Sequence, residues 1–193
     1  DNMPALKNKS YFNYGGQGPL PTQSLNAIRA SWETIQNLGP FTNDVWPYIT
    51  KEILSTKNLL SEICGVHPRR IAFTENVTTG CCLPLLGLPI SNGDHILISD
   101  CEHPGIIAAC KELARKKNLR IGILPVLKAC IGNDKSDEID KTVLKLIDTS
   151  LKKDTKLVVV SHLLWNTGQI MPIAHISKRL SEHSNKPYLL VDA

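Results

Sequence analysis

Four short polar segments of the sequence carry side chains that could together bind a charged aromatic ligand. Thr78 and Thr79 stand in a polar turn before a helical stretch, where hydroxyls and free backbone N–H groups can bind a phosphate. His103 precedes a second predicted helix, Asn166 lies in a turn-like segment, and Asp192 directly follows an apolar run. These groups suit an anion, a flat ring, a phenolic oxygen and a protonated nitrogen.

Each of these side chains also has an ordinary structural role. Thr78, Thr79 or Asp192 could cap a helix, His103 could belong to a surface loop, and Asn166 could be a turn residue. The combination favours a ligand site because open α/β sheets bind ligands beyond the carboxyl ends of their strands. Pyridoxal 5′-phosphate (PLP) needs all of these contacts, including a carboxylate that keeps its ring nitrogen protonated.

The elements that must position these groups alternate in type from residue 70 onwards. The predicted strands cover residues 71–73, 95–99, 120–126, 157–161 and 188–191. The predicted helices follow Thr78 and cover residues 104–117, 138–151 and 172–183. Parallel strands need long crossovers, so this alternation predicts an α/β fold with a doubly wound, mostly parallel sheet. Residues 132–136 are predicted to form an exposed loop.

The first part of the chain has a different character. The sequence of residues 1–69 predicts two helices, which begin near Thr22 and near Trp46. The second helix carries an apolar stripe, so we expect it to pack against another part of the protein. We therefore expect an N-terminal segment at residues 1–69 and an α/β large domain at residues 70–193. The sequence stops after its last strand without a covering helix, so we expect an N-terminal fragment of a longer protein.

Composition excludes several classes of protein. The 193 residues are 42% hydrophobic and 21% charged, which is ordinary globular usage. The net charge of +4 comes from scattered basic residues, which argues against a nucleic-acid-binding stripe. Apolar runs are too short to cross a bilayer, which needs about 20 residues. Nothing at the start directs secretion, so we expect a cytoplasmic protein without a membrane partner.

The cysteines predict neither a disulfide framework nor a metal site. Six cysteines without a C-x-x-C spacing or a secretory context are typical of reduced thiols. Cys81, Cys82, Cys101 and His103 could be imagined as metal ligands. Adjacent residues on a helix point about 100° apart, however, and rarely share one tetrahedral ion. We therefore expect no metal.

Five segments of the sequence carry a family resemblance. They are residues 11–21 (YFNYGGQGPLP), 75–80 (ENVTTG), 100–105 (DCEHPG), 161–169 (SHLLWNTGQ) and 190–193 (LVDA). In this order they resemble the class V aminotransferase family of fold type I PLP enzymes. The resemblance is closest to cyanobacterial cystine C-S lyases and cysteine desulfurase-like proteins, with isopenicillin N epimerase on a neighbouring branch.

The resemblance implies a role for each candidate residue. Thr78 and Thr79 would bind the cofactor phosphate, and His103 would stack on the ring and assist proton transfer. Asn166 would contact the phenolic oxygen, and Asp192 would pair with the ring nitrogen. A further loop would lie near the substrate; its residues are Gly15, Gly16 and Gln17.

The resemblance also implies an activity. It predicts a cytoplasmic homodimer that cleaves a carbon–sulfur bond of cysteine or cystine. An epimerase, an aminotransferase or a non-catalytic α/β module remain alternatives. The lysine that binds PLP covalently and the small domain are expected beyond residue 193, because none of four lysines occupies the lysine motif. These are Lys111, Lys116, Lys117 and Lys156. We therefore expect the 193 residues alone to be inactive.

Overall fold

The chain forms two units, Asp1–Phe73 and Thr74–Ala193, in a computed structural model that describes residues 2–131 and 136–193. The first unit contains helices α1 (Thr22–Leu38) and α2 (Val45–Cys64), followed by a 3₁₀ turn at Pro68–Arg70. The predicted apolar stripe of α2 is only partly covered. Ile49 and Leu60 are half-buried, whereas Ile63 is 80% exposed. The domain boundary between residues 69 and 70 stays a prediction.

A parallel sheet of four strands organises the second unit. Its strands are β1 (His95–Ser99), β2 (Arg120–Leu124), β3 (Thr155–Ser161) and β4 (Tyr188–Asp192). Their order in the sheet is β2-β1-β3-β4, and every pair is parallel. The chain runs outward from β1 to β2 and then returns past β1 to form β3. The direction of winding therefore reverses between β1 and β3, which is where sheets of this kind bind ligands.

Helices cover both faces of this sheet, which confirms the predicted doubly wound α/β fold. They are α3 (Val77–Gly87), α4 (Pro104–Lys117), α5 (Val126–Cys130), α6 (Ser136–Ser150) and α7 (Ile173–Glu182). Successive side chains of β3 point to opposite faces. Leu157 and Val159 pack with α3 and α4, whereas Val158 and Val160 pack with α6 and α7. All four are fully buried, as the continuous apolar run predicts.

Two of the predicted strands differ from the structure. The strand at residues 71–73 is wrong: Ile71 has an extended backbone, with φ −105° and ψ 124°, but no strand within the described residues pairs with it. The predicted strand 120–126 ends at Leu124, because Pro125 has no N–H to donate and α5 begins directly after it. The predicted loop at residues 132–136 lies outside the described residues, except that α6 begins at Ser136.

The amino-terminal edge of the sheet holds a fully buried histidine. The Nδ1 atom of His95 lies 2.8 Å from Thr155 Oγ1, while its Nε2 atom has no hydrogen-bond partner in the described part of the chain. A Cβ placed on Gly122 of the neighbouring strand would come within 2.5 Å of that Nε2 atom. Gly122 therefore leaves the room that the imidazole ring occupies.

This histidine predicts a loss of stability in mild acid. Burial lowers the pKa of His95, and the positive charges of Lys152 and Arg120 lower it further. The unfolded chain, with a histidine pKa of about 6.5, then binds the proton more readily than the folded chain. The contribution of His95 to the free energy of unfolding is therefore complete above about pH 6.5 and declines as the pH falls towards the folded pKa.

Urea unfolding at about pH 8 and about pH 5 measures this effect. We expect the free energy of unfolding to fall less between the two pH values for His95→Gln than for the wild type, because glutamine does not titrate. An equal fall in both proteins would contradict the prediction.

None of the helices in the described ranges combines the length and apolar character that a bilayer crossing needs.

Candidate functional site

Helix α3 begins with a side-chain cap that is not a threonine. Asn76 precedes the helix, and its Oδ1 atom accepts a hydrogen bond of 2.9 Å from the Thr79 N–H. The alternative in which Thr78 or Thr79 caps this helix is therefore wrong. Both threonines lie in the first turn, where the backbone N–H groups and the helix dipole favour an anion.

The first turns of α3 and α4 approach each other closely. His103 caps α4, and its Nδ1 atom accepts a hydrogen bond of 3.2 Å from the Gly105 N–H. A Cβ on Gly105 would lie 3.2 Å from His103 Nδ1 and 3.5 Å from Thr78 Oγ1. The missing side chain thus leaves a small cradle between the imidazole ring and the Thr78 hydroxyl.

The ends of β3 and β4 position the remaining two candidates. Asp192 is the last residue of β4 and pairs with Ser161, and its carbonyl oxygen accepts a hydrogen bond of 2.7 Å from the His162 N–H. Asn166 lies in the loop after β3, close to the Cys101 thiol. Burial raises the pKa of Cys101 to about 11, and the nearby Asn166 side chain opposes this rise.

Electrostatic interactions place the Asp192 carboxylate near two other elements. Burial is the main reason that the pKa values of Cys81 and Glu102 are raised, and the negative charge of Asp192 raises both further. Cys81 belongs to α3 and Glu102 to the loop between β1 and α4. Asp192 therefore lies within electrostatic range of the segments that carry Thr78 and His103.

Sequence reasoning missed a buried carboxylate at this edge. Glu102 is 2% exposed, and its Oε1 atom accepts hydrogen bonds from Ser99 Oγ at 2.5 Å and from the Ser161 N–H at 2.7 Å. Its Oε2 atom accepts a third hydrogen bond, of 2.9 Å, from Ser161 Oγ. Two signals could have identified this group. An acidic residue directly precedes His103, and a serine ends each of two buried strands.

The structure brings five of the sequence-derived candidates to the carboxyl edge of the sheet, beside the reversal between β1 and β3. They are Thr78, Thr79, His103, Asn166 and Asp192. Their roles towards a ligand stay predictions.

The three other candidates belong to the first unit and form a local turn. Gly16 N–H donates to the Asn13 carbonyl oxygen at 3.2 Å, and Tyr11 Oη donates to the Gln17 carbonyl oxygen at 2.6 Å. A Cβ on Gly16 would lie 2.8 Å from Asn13 Nδ2, so a larger residue there would displace the Asn13 side chain. The same turn contains Gly15, which has open space around it. A role of Gly15, Gly16 and Gln17 in substrate binding stays a prediction.

Burial favours the protonated form of four thiols in the second unit, which are those of Cys81, Cys101, Cys110 and Cys130. Burial raises the pKa of Cys101 to about 11 and that of Cys110 to about 12. A thiol must lose its proton to act as a nucleophile, so neither residue is poised to attack a substrate. All six cysteines are free. Within the described residues, no group of three or more histidine, cysteine or acidic side chains is arranged to hold a metal ion.

Comparison with known proteins identifies relatives along the whole chain. The family model described as "Aminotransferase class-V" matches residues 11–193. A protein of Archaeoglobus fulgidus named "Cysteine desulfurase IscS 1" is 27% identical over 172 residues, which cover 87% of this chain and 42% of that protein.

Two solved structures are more similar in sequence. The cystine C-S lyase C-DES in complex with its reaction product cysteine persulfide is 40% identical, with a TM-score of 0.86. That match covers 99% of this chain and 49% of the C-DES chain. A C-DES variant with glycine covalently linked to the PLP cofactor is 39% identical, also with a TM-score of 0.86, over 100% of this chain and 48% of that one.

The chain thus spans about half the length of the relatives that it matches. The family model covers nearly all of its residues, and the parallel sheet with helices on both faces is the fold of those solved structures. The chain therefore belongs to the aminotransferase class-V family.

Proposed function

We propose that this chain forms the PLP-binding part of an enzyme that cleaves a carbon–sulfur bond of cysteine or cystine. The observation that carries the proposal is the meeting of Thr78, His103, Asn166 and Asp192 at the β1/β3 reversal, in a chain 40% identical to a cystine C-S lyase. The relatives named cysteine desulfurase support the same sulfur chemistry at lower identity.

The residues present fit this cofactor. The cradle beside Gly105 is bordered by a hydroxyl and an imidazole ring, and a single Cβ would narrow it. The first turn of α3 supplies hydroxyl and N–H donors for a phosphate, and Asp192 supplies a carboxylate for a protonated nitrogen. These residues offer a carboxylate for a cationic nitrogen, donors for an anion and an imidazole ring for stacking, which are the contacts that PLP requires.

Each side chain would then have a defined task. Thr78 and Thr79 would donate hydrogen bonds to the phosphate, Asn166 would donate to the phenolic oxygen, and His103 would stack on the ring. The negative charge of Asp192 would keep a proton on the ring nitrogen. PLP held in this way would supply an electron sink for the charge left on the substrate α-carbon. Cleavage of the bond between Cβ and sulfur would release hydrosulfide from cysteine or a persulfide from cystine, with the electron pair of that bond leaving on the sulfur.

The covalent link to PLP is proposed to involve a lysine outside residues 1–193. Lys156 is the second residue of β3, so it lies at the amino-terminal edge, opposite the site, and its Nζ atom donates to Asn185 Oδ1 at 2.9 Å. Lys111 lies eight residues beyond His103 in α4, about 12 Å along the helix axis. Lys116 and Lys117 lie still further along the same helix.

The test uses the complete protein that the gene encodes, loaded with PLP and supplied with L-cystine or L-cysteine. We expect pyruvate, ammonia and a sulfur product, which is sulfide from L-cysteine and a persulfide from L-cystine. Borohydride reduction followed by peptide mapping should locate PLP on a lysine outside residues 1–193. Labelling of Lys111 or Lys156 would contradict the assignment. Formation of the D-amino acid without release of sulfur would indicate an epimerase, and transfer of the amino group to a keto acid would indicate an aminotransferase.

Two further features belong to the same proposal. We infer a homodimer because large apolar side chains of the two N-terminal helices are exposed, among them Trp32 at 64%, Leu59 at 59% and Ile63 at 80%. Sedimentation of the complete protein as a monomer would contradict this. We also infer a cytoplasmic location, which is supported by six free cysteines, since disulfides are rare in that compartment.

A further inference from the structure

The carboxylate of Glu102 is buried and hydrogen-bonded at the carboxyl edge of the sheet. It is 2% exposed and accepts three hydrogen bonds, from Ser99 Oγ, the Ser161 N–H and Ser161 Oγ. The tasks given above to the cofactor-binding residues do not use it. A buried carboxylate costs several kcal/mol of solvation, and in the described part of the chain the structure gives it no lysine or arginine partner.

The three hydrogen bonds join the two strands between which the winding reverses. Ser99 is the last residue of β1 and Ser161 the last residue of β3, so Glu102 bridges their carboxyl ends. The connections after these strands run in opposite directions, and one carries His103 while the other carries Asn166. Backbone pairing of β1 with β3 ends at Ile98 and Val159, so the hydrogen bonds of Glu102 join the two strand ends beyond that pairing.

The same bridge reaches Asp192 through the next strand. Ser161 pairs with Asp192 in the β3–β4 register, and the neighbouring His162 N–H donates to the Asp192 carbonyl oxygen at 2.7 Å. His103 directly follows Glu102 in the chain. The Glu102 carboxylate is thus adjacent in the chain to His103. It is connected to Asp192 by two hydrogen bonds, one to Ser161 and one from His162 to the Asp192 carbonyl oxygen.

The three groups described above as hydrogen-bonded to Glu102 are all donors. The Ser99 Oγ atom accepts a hydrogen bond of 3.1 Å from the Cys101 N–H, which leaves its own proton for Glu102. The bonds on Oε1 need only an acceptor oxygen, and a glutamine side chain retains one. Its amide can donate to Ser161 Oγ, so glutamine can preserve the bridge whereas alanine removes it.

We propose that Glu102 is a positioning residue, which holds His103 and Asp192 at the separation that a ring bound between them requires by bridging the ends of β1 and β3. This inference rests on the proposed function, because it takes PLP as the bound ring.

The experiment compares Glu102→Ala, Glu102→Gln and Ser161→Ala in the complete protein. The readouts are the dissociation constant of PLP, the pH dependence of the absorbance band of bound PLP, and the melting temperature of the PLP-free protein. Thr155→Ala is the matched control. Thr155 is also fully buried and hydrogen-bonded, to His95 and the Lys152 N–H, but it lies at the opposite edge of the sheet.

We expect Glu102→Ala and Ser161→Ala to weaken PLP binding by about tenfold or more and to shift the pH profile of the band, because each removes at least one bridging hydrogen bond. Glu102→Gln should stay within about threefold of the wild type in binding, with an unchanged band. Thr155→Ala should lower the melting temperature without altering the band. If Glu102→Ala does not fold, Ser161→Ala decides the question.

Three results would overturn the inference. The first is wild-type PLP binding in both alanine variants. The second is an equal loss of binding in Glu102→Gln and Glu102→Ala, which would exclude the hydrogen-bonded bridge as the cause. The third is an equal change in Thr155→Ala, which would indicate a general loss of stability. A wild-type protein that does not bind PLP would instead refute the proposed function, and this inference with it.

Discussion

Replacing Asp192 by asparagine is expected to slow the loss of the substrate α-proton by on the order of 10²–10³-fold while PLP remains bound. Asparagine keeps the size of the side chain and one hydrogen bond, but it lacks the charge that favours a protonated ring nitrogen. The backbone contact with His162 involves only the carbonyl oxygen, so it is retained. Exchange of the α-proton with deuterated water, followed by NMR, measures this step directly, and absorbance gives the PLP content.

A matched variant separates this effect from a general effect of removing a carboxylate. Asp148→Asn makes the same change at an ion pair, where Asp148 Oδ2 lies 3.2 Å from Arg179 Nη1 between α6 and α7. We expect exchange at the wild-type rate in that variant, since neither helix end contributes to the site. Exchange at the wild-type rate in Asp192→Asn would mean that this carboxylate has only a structural role, and the PLP proposal would lose its strongest residue.

The sheet could be predicted where its signals are local. Residues 157–160 form a continuous apolar run, and β3 is fully buried there. Helix α4 begins and ends where predicted, because Pro104 suits its first position and Asn118 adopts the left-handed conformation after its last one, with φ 51°. Residues 71–73 have the composition of a strand, but a strand also needs a partner, and composition carries no information about that partner.

The candidate site likewise combines features that local sequence predicts with features that depend on distant residues. His103 and Asn166 follow β1 and β3, and Asp192 ends β4, which suffices to predict that these three residues meet at one edge. The strand predicted before Thr78 does not form, so the sheet pattern alone does not place Thr78 there. Glu102 escaped prediction because its partner Ser161 is 59 residues away, and both serines look like ordinary strand ends. Contacts between loops of different strands depend on the order of the strands in the sheet, and the direction of winding here reverses between β1 and β3. A pattern read along the chain predicts a doubly wound sheet but does not reveal between which strands the reversal falls.

Changing Thr78 and Thr79 to alanine is expected to weaken PLP binding and leave the chemistry of bound PLP intact. Each lost hydrogen bond costs about 1 kcal/mol, so each single variant should bind PLP about fivefold more weakly and the double variant about 30-fold. Helix α3 should persist in these variants, because Asn76 provides the cap and alanine is the better helix former. Turnover at saturating PLP should therefore return most of the way to the wild-type value, in contrast to Asp192→Asn.

Titration of each variant with PLP, with turnover measured at every concentration, tests this prediction. Thr149→Ala is the control, because its hydroxyl donates to the Lys145 carbonyl oxygen at 3.0 Å in α6 and the same side chain is lost there. We expect that variant to bind PLP as the wild type does. An unchanged dissociation constant in the double variant would remove the threonine hydroxyls from the phosphate site. A turnover that stays low at saturating PLP would show that these hydroxyls contribute to the chemical step and not only to the affinity for PLP.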